Sequence, residues 1–382
     1  MIDTIAIRRD DGTALSTWTK VKVTSSLDQV ARNAEFELSV IDDDTADALE
    51  ALDLVAGEAC EVRIGNELLI TGWADQIEPD STATADTLKV SVRSKTCDLV
   101  DSYAPPKALR KVTLRTLAEA LCAPYSVEVV DEAGDDEVFD RVRPDPGEKV
   151  AEVIQRYARL RGVLVTDDAE GRLVLLRVES AELGPDPLVR GGDVANIIAS
   201  SGVFSVARRY STYECRGQIL AESSVIPDAR ASVHDAGVRR SRRMQVRPDR
   251  PVGADGARRV SEWEALTRIG QGSRGEIMAS GWKRSDGTVW KIGELVEITD
   301  ARLRLFGVRW LITDATPSLS EGDARRTVLV VQPMEAYLPY PEKGAPGRGT
   351  SYWLRKDKDG TLQATDTGTV ALPGPDDEEV IE

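Results

Sequence analysis

Two stretches of this chain follow one pattern. GEACEV (57–62) and GELVEI (293–298) both open Gly-Glu, carry a Glu at the fifth place and close on a β-branched aliphatic residue. The likeness continues downstream. LLITGWADQIEPDSTATADTLKVSVRS follows the first and RLFGVRWLITDATPSLSEGDARRTVLVVQP the second. Each reads as an apolar strand with a Trp (Trp73, Trp310), then an acidic Ser/Thr-rich loop, then a Val/Leu strand (Leu88 to Val92, Val328 to Val331). From the Gly-Glu to that last strand is 31 residues in the first copy and 35 in the second. Shared order, spacing and loop chemistry over about 40 residues predict a duplicated unit, a stronger constraint on the fold than any single-element propensity.

A chain of 382 residues has room for two or three domains. With 41% hydrophobic and 30% charged residues it reads as a soluble globular protein able to bury real cores. No run approaches the roughly 18–20 apolar residues of a membrane span. The N-terminus, MIDTIAIRRDDG, lacks the basic-then-apolar pattern of a signal peptide. Synthesis in a cytoplasm, without export by that route or stable membrane association, is the expectation. The net charge of −16 argues against a general grip on nucleic acid, which needs many cations against phosphates. Cys60, Cys97, Cys122 and Cys215 form no CxxC pair, so neither a zinc ribbon nor a redox motif is present. Reduced, mostly buried thiols are expected.

Residues 1–103 read as six short β-branched strands separated by turns such as Asp11-Gly12 and Gly65-Asn66, the pattern of a small barrel or sandwich. DDDTADALEAL (42–52) reads as a loop entering a short helical turn. After Pro105-Pro106 the texture changes. Thr113 is placed to cap a helix with Leu114, Leu117, Ala118, Leu121 and Cys122 on one face, ended by Pro124. A second helix, 147–161, has the stripe Val150, Val153, Ile154, Tyr157 and Leu160 and is closed by Gly162. GVLVTDDAEGRLVLLRV reads as a hairpin turning at Asp167 to Gly171, which makes 104–188 a compact α+β module. Strands return from Asn196, an Arg-rich stretch leads into a helix near 255–269, and strands resume to about Pro333. Residues 341–382 are rich in Gly, Pro, Thr and charge and read as a flexible tail with SYWL (351–354) as its apolar spot. The fold expected is mainly β with an α+β insert: two small β-barrel-like domains, 1–103 and 189–340, related by duplication and joined by the module.

Local motifs carry little chemistry. GQGSRG (270–275) has the letters of the GxGxxG fingerprint, but that motif works between a strand and the start of a helix. Here a helix precedes and a strand follows, so a glycine-rich helix exit is the better reading. His234 is the only histidine, which excludes zinc sites built on HExxH or on two histidines. Its polar loop has no nucleophile-elbow pattern. Asp42, Asp43, Asp44 and Asp47, and the run DEAGDDEVFD (131–140), lack calcium-loop spacing and read as solvated acidic loops. With 65 acidic residues, no spacing selects a carboxylate pair for hydrolysis. No cofactor is implied. Arg239, Arg240, Arg242, Arg243, Arg247 and Arg250 stand out in an acidic chain. They form either a docking patch for an acidic partner or neighbouring subunit, or one solvated strand face and its loop.

Five stretches together resemble one family: SSLDQVARNAEFELSV, SKTCDLVD, TLRTLAEALCAPYSVEV, RLRGVLVTDDAEGRLVLLR and SGWKRSDGTVWKIGELVEI. Their order and spacing are similar to those of the baseplate hub proteins of Mu-like contractile-tailed phages, relatives of the late-control and tail-hub proteins. The resemblance spans most of 1–340; residues 216–256 and the C-terminal tail depart from it. It implies a non-enzymatic structural protein of the virion, a homotrimer at the baseplate axis. That ring would join a trimeric spike to the hexameric tail tube, contact other baseplate proteins, and let DNA pass through a channel without specific binding. Two alternatives remain: a spike-complex hub of a contractile secretion or bacteriocin system, and a cell-wall hydrolase. The duplication suits the first reading, because three chains with two near-equivalent domains each present six similar surfaces to a sixfold tube.

Overall fold

The computed structural model describes residues 4–40, 54–82, 86–217, 229–248, 253–320, 324–341, 354–356 and 362–364. The loop reading of 42–52, with Asp42, Asp43, Asp44 and Asp47, lies outside the described residues, as does most of 341–382. Among the described residues, no helix is long and apolar enough to cross a membrane.

The chain is mainly β and forms two compact units. The first comprises Met1–Pro185, Glu276–Glu294 and Ile312–Val331; the second comprises Asp186–Gly275, Leu295–Leu311 and Gln332–Glu382. The first seven strands are β1 (Ile5–Arg9), β2 (Ala14–Leu15), β3 (Lys20–Ser26), β4 (Asn33–Val40), β5 (Ala59–Ile64), β6 (Glu67–Ser81) and β7 (Asp86–Ser94). They lie side by side in the order β3-β4-β7-β6-β5-β1-β2. Period-two alternation decides which face is buried. Val21 and Val23 of β3, Cys60, Val62 and Ile64 of β5, and Val90 and Val92 of β7 point into one core with Ile5, Ile7, Phe36 and Ile70. The described sheets are open strand paths, and none closes into a barrel.

The middle of the chain is helical and β by turns: α1 (Cys97–Asp101), β8 (Leu109–Val112), α2 (Leu114–Cys122), β9 (Val129–Asp131), β10 (Phe139–Val142), α3 (Val150–Leu160), β11 (Leu164–Asp167) and β12 (Leu173–Leu176). Thr113 caps α2 as its sequence predicts. Its hydroxyl accepts from the Thr116 amide at 3.2 Å, and the Thr116 hydroxyl accepts from the Thr113 amide at 2.9 Å. All five residues of the predicted stripe are buried. On α3 the stripe is shifted. Val150, Val153 and Ile154 are buried, but Leu160 is exposed, and Ala151 and Ala158 are buried on the inner face. Gly162, at φ +61, ends that helix. The β11–β12 hairpin forms as predicted, and β9 joins it by a parallel pairing with β12.

An ion pair fixes this module against the β3–β4 connection within the first unit. The Asp167 carboxylate, 1% exposed, accepts from the Arg32 amide (3.0 Å), Arg32 Nε (3.1 Å) and Thr96 Oγ1 (3.2 Å). Arg32 also donates to the Leu69 and Asp167 carbonyls. Burial pushes the Asp167 carboxyl up, against the opposing pull of Arg32, Ser94 and Thr96.

The rest of the chain supplies β13 (Leu188–Val189), β14 (Ile197–Phe204), β15 (Thr212–Gly217), β16 (Ala229–His234), β17 (Arg243–Val246), α4 (Ala254–Gln271), β18 (Ser273–Ser280), β19 (Leu295–Asp300), β20 (Leu305–Ser320) and β21 (Ala324–Gln332). In the first unit, β18, β21 and the later part of β20 extend the sheet beside β3. In the second unit, β19 pairs with the early part of β20 and, in parallel, with β13. A separate three-stranded sheet, β16-β15-β17, packs against α4 around Tyr213, Cys215, Val233, Val246, Ala257, Val260 and Ala265. Residues 189–340 therefore hold a second small α+β body in addition to the β strands that the sequence suggests. The described tail residues Leu354–Lys356 and Leu362–Ala364 pair as two short strands, β22 and β23.

The two Gly-Glu segments have matching backbone geometry. Gly57 and Gly293 have φ of +88° and +82°. The Gly57 amide donates to the Ala74 carbonyl, whose own amide donates to the Glu58 carbonyl; Gly293, Ile312 and Glu294 repeat the exchange. Register then runs in step, Ala59 opposite Trp73 and Leu295 opposite Leu311. It slips at the same place in each, after Val62 and after Ile298. This register corrects one equivalence. Trp73 corresponds to Leu311, and Trp310 corresponds to Gly72, because Cys60 faces Gly72 where Val296 faces Trp310. The two tryptophans thus lie on opposite sheet faces. A Cβ at Gly72 would collide with the Arg93 carbonyl oxygen, so no side chain fits there.

Candidate functional site

The Arg-rich segment enters the small sheet of the second unit. Parallel pairing with β15 sets Arg243 opposite Thr212 and Val246 opposite Cys215. Met244 and Val246 pack inward, while Arg243 and Gln245 are exposed. Arg239 and Arg240 are exposed in the connection before β17, and Arg247 is exposed just after it. Arg242 is different. It donates to the Val206 and Ala207 carbonyls at 2.9 and 3.0 Å, and its guanidinium lies 4.8 Å from the centre of the Tyr210 ring. Arg243 pairs with Glu214 at 3.0 Å, with its side chain 73% exposed. The segment thus divides into an internal strut, Arg242, and the cationic face of Arg239, Arg240, Arg243 and Arg247. Arg250 lies outside the described residues.

A second buried charge network anchors this unit. Arg209 meets Asp235 through two hydrogen bonds of 2.9 and 2.8 Å, and Asp235 also accepts from the Gly237 amide. His234 is exposed at the end of β16. Near β13, Asp300 is fully buried. Its Oδ2 accepts from Arg190 Nε at 2.8 Å and from Ser200 Oγ at 2.6 Å, and its Oδ1 accepts from the Arg302 amide at 2.9 Å. Burial alone would raise this carboxyl. The hydrogen bonds from Arg190, Ser200 and the Arg302 amide outweigh it and hold the group below its ordinary value.

The other sequence motifs resolve into structure. GQGSRG is the exit of α4 into β18. A Cβ on Gly270 would strike the Ala336 backbone, and one on Gly272 would press on the Ser205 carbonyl oxygen. Close backbone approach explains these glycines. In the 131–140 run, Asp131 accepts from the Ala133 and Gly134 amides. Asp135 pairs with Arg161 and Arg177. Burial pushes the Asp135 carboxyl up despite those two cations. Asp140 meets Lys111. All four cysteines are buried and free. Burial pushes the thiols of Cys60, Cys97 and Cys122 up to about 12. Among the described residues, no group of three or more His, Cys, Asp or Glu is placed to hold a metal ion.

Comparison with known proteins gives the class. Residues 6–94 match the family "Mu phage baseplate assembly protein GpP-like, N-terminal". Residues 96–177 match "Baseplate hub protein gp44-like, second domain", and residues 253–340 match "Mu phage baseplate assembly protein GpP, fourth domain". The baseplate hub protein gp44 of Escherichia phage Mu is 30% identical over 351 residues, covering 88% of this chain and 90% of its own. The 43 kDa tail protein of prophage MuSo2 from Shewanella oneidensis superposes with a TM-score of 0.75 at 28% identity, over 88% of this chain and 100% of that one. The E. coli c3393 protein, a component of the type VI secretion system with structural similarity to T4 tail proteins gp27 and gp5, shares the fold. Its TM-score is 0.55 at 12% identity, covering 94% of this chain and 90% of that one. The chain belongs to the Mu-like phage baseplate hub family, whose members are structural components of the virion tail.

Proposed function

We propose that three copies of this hub close into a ring on the baseplate axis, where the ring adapts a threefold spike to the sixfold tail tube and leaves a channel for DNA. The repeated hairpin carries this reading. β5-β6-β7 and β19-β20-β21 share their Gly-Glu entry, their reciprocal backbone bonds and the position of their register slip. Such correspondence supports a duplicated β element, and three chains then offer six similar surfaces to the tube. The chain divides for this work into a first β domain (1–103), the α+β module (104–188), a second β domain with the Arg-rich segment and α4 (189–340), and the tail (341–382). The family matches cover 6–94, 96–177 and 253–340, the second beginning eight residues before the 103/104 boundary. A net charge of −16 favours a lumen that repels phosphates. The cationic face of Arg239, Arg240, Arg243 and Arg247 is the docking surface for an acidic baseplate partner.

Native mass spectrometry of the purified chain tests the ring. A mass of three chains is expected, on its own or with the spike protein co-expressed; a stable dimer would contradict it. A hub of a contractile secretion system is the second reading, favoured by the fold shared with c3393. Capture of tube and spike proteins from a secretion system, in place of phage ones, would establish it.

A further inference from the structure

The charge of this chain is unevenly divided. Segments 186–275, 295–311 and 332–341 of the second unit carry 18 arginines, no lysine and 13 Asp or Glu, a net +5, and residues 342–382, with 5 Lys or Arg against 9 Asp or Glu, bring the whole unit to +1. The first unit carries 26 Lys or Arg against 43 Asp or Glu, a net −17. Within the arginine-only part lies a stretch with no charge at all, VANIIASSGVFSVA (194–207), in a chain that is 30% charged. Most of it is β14, which ends its sheet. Soluble proteins protect such edges with lysine, proline or inward charges. Here the edge has none, and Val194, Ile198, Val203, Phe204, Val206 and Phe306 are 38–71% exposed. Arg302 and Arg304, both exposed, stand just before Phe306.

We propose that this edge is a contact site for a second copy of the same chain, its uncharged strand and Phe306 covered by the acidic first unit of the neighbour. A neutral apolar edge strand is suited to intermolecular strand pairing. Arginine is enriched at protein interfaces and lysine is depleted, because the guanidinium sheds water more readily. Copies carrying −16 each repel at long range. A head-to-tail contact sets the basic part of one copy against the acidic part of the next, and like-against-like contacts do not. The contact rests on the ring reading and assigns the surface that closes it.

The test compares the full chain with Val203→Glu and Phe306→Glu by sedimentation equilibrium at low and high salt, with amide exchange read on β14. Both side chains are exposed, so both variants keep the wild-type circular dichroism and melting curve. Self-association of the wild type is expected to weaken in high salt, and each variant to lose at least about thirtyfold in affinity. The β14 amides that point away from β18 should be protected only in the associated form. A three-chain wild type whose variants keep their mass overturns this surface and leaves the ring standing. A dimer abolished by both variants keeps the surface and overturns the ring. A wild type that stays monomeric at its highest soluble concentration overturns the contact, and the ring is then judged by co-expression. A monomer whose free-edge β14 amides are protected assigns the edge to another part of the same chain and also overturns it.

Discussion

Asp300→Asn tests whether one carboxylate holds together three segments of the second unit. Asp300 is fully buried and bonds to Arg190, to Ser200 on β14 and to the amide of Arg302. The amide variant keeps the shape, removes the charge and turns a donor toward donors. Breaking a buried ion pair by changing one partner costs about 3–5 kcal/mol. Arg190 remains 17% exposed and can recover some hydration, so the low end applies, about 3 kcal/mol. For a unit of this size that lowers the melting temperature by roughly 10 °C. The pH dependence has a definite sign. A carboxyl held below its ordinary value contributes stability that is fully present above about pH 4 and is lost as the pH falls through the folded-state value. Urea unfolding of wild type and variant from neutral to acid pH is the assay. The gap between them should narrow as the solution is acidified. A neutral-pH gap below about 1 kcal/mol, or a gap unchanged in acid, would refute the account.

Four further outcomes follow from the geometry. Reversing exposed Arg240 and Arg247 together to Glu should abolish pull-down of an acidic baseplate partner with stability changed by at most about 0.5 kcal/mol. Arg242→Ala should instead destabilise the fold by about 1–3 kcal/mol in urea, because the Val206 and Ala207 carbonyls and the Tyr210 ring lose their partner. Gly57→Ala and Gly293→Ala should each cost about 1–2 kcal/mol by thermal melt, and by similar amounts, since both sit at positive φ in the same turn. With thiols pushed up to about 12, about one in ten thousand Cys60, Cys97 or Cys122 side chains is a thiolate at pH 8. A thiol reagent should therefore label the native chain only at the rate of unfolding.

The elements that sequence foretold are those whose signals are local. Thr113 with its stripe, Gly162, and the Asp167–Gly171 turn each depend on a few neighbouring residues, and all three formed. The repeated hairpin was visible because its two copies carry the same turn chemistry. The Trp73–Trp310 equivalence failed by one residue because identity of letters does not fix register; the bonds at Gly57 and Gly293 do. The three-stranded sheet around Tyr213 was missed because β17 joins β15 in parallel across some 30 residues, part of which has no periodicity. The role of Arg242 depends on Val206, Ala207 and Tyr210, which no pattern within the Arg-rich run indicates. The glycines of GQGSRG were correctly placed at a helix exit. Their cause, backbone approach by residues 205 and 336, is tertiary.

The pairing of β3 with β20 has a consequence in time. Ser25 and Ser26 lie opposite Ala315 and Asp314, so a strand made among the first 26 residues waits for its neighbour until almost 290 more have been synthesised. On the ribosome, the first unit cannot be completed when its first 185 residues emerge, since its last strands come from 312–331. Until then β3 has β4 on one side and an open edge on the other, the kind of unpaired edge that makes partly folded chains prone to aggregate. The order of synthesis therefore favours rapid elongation through 312–331, which shortens that wait, or a chaperone held at the open edge.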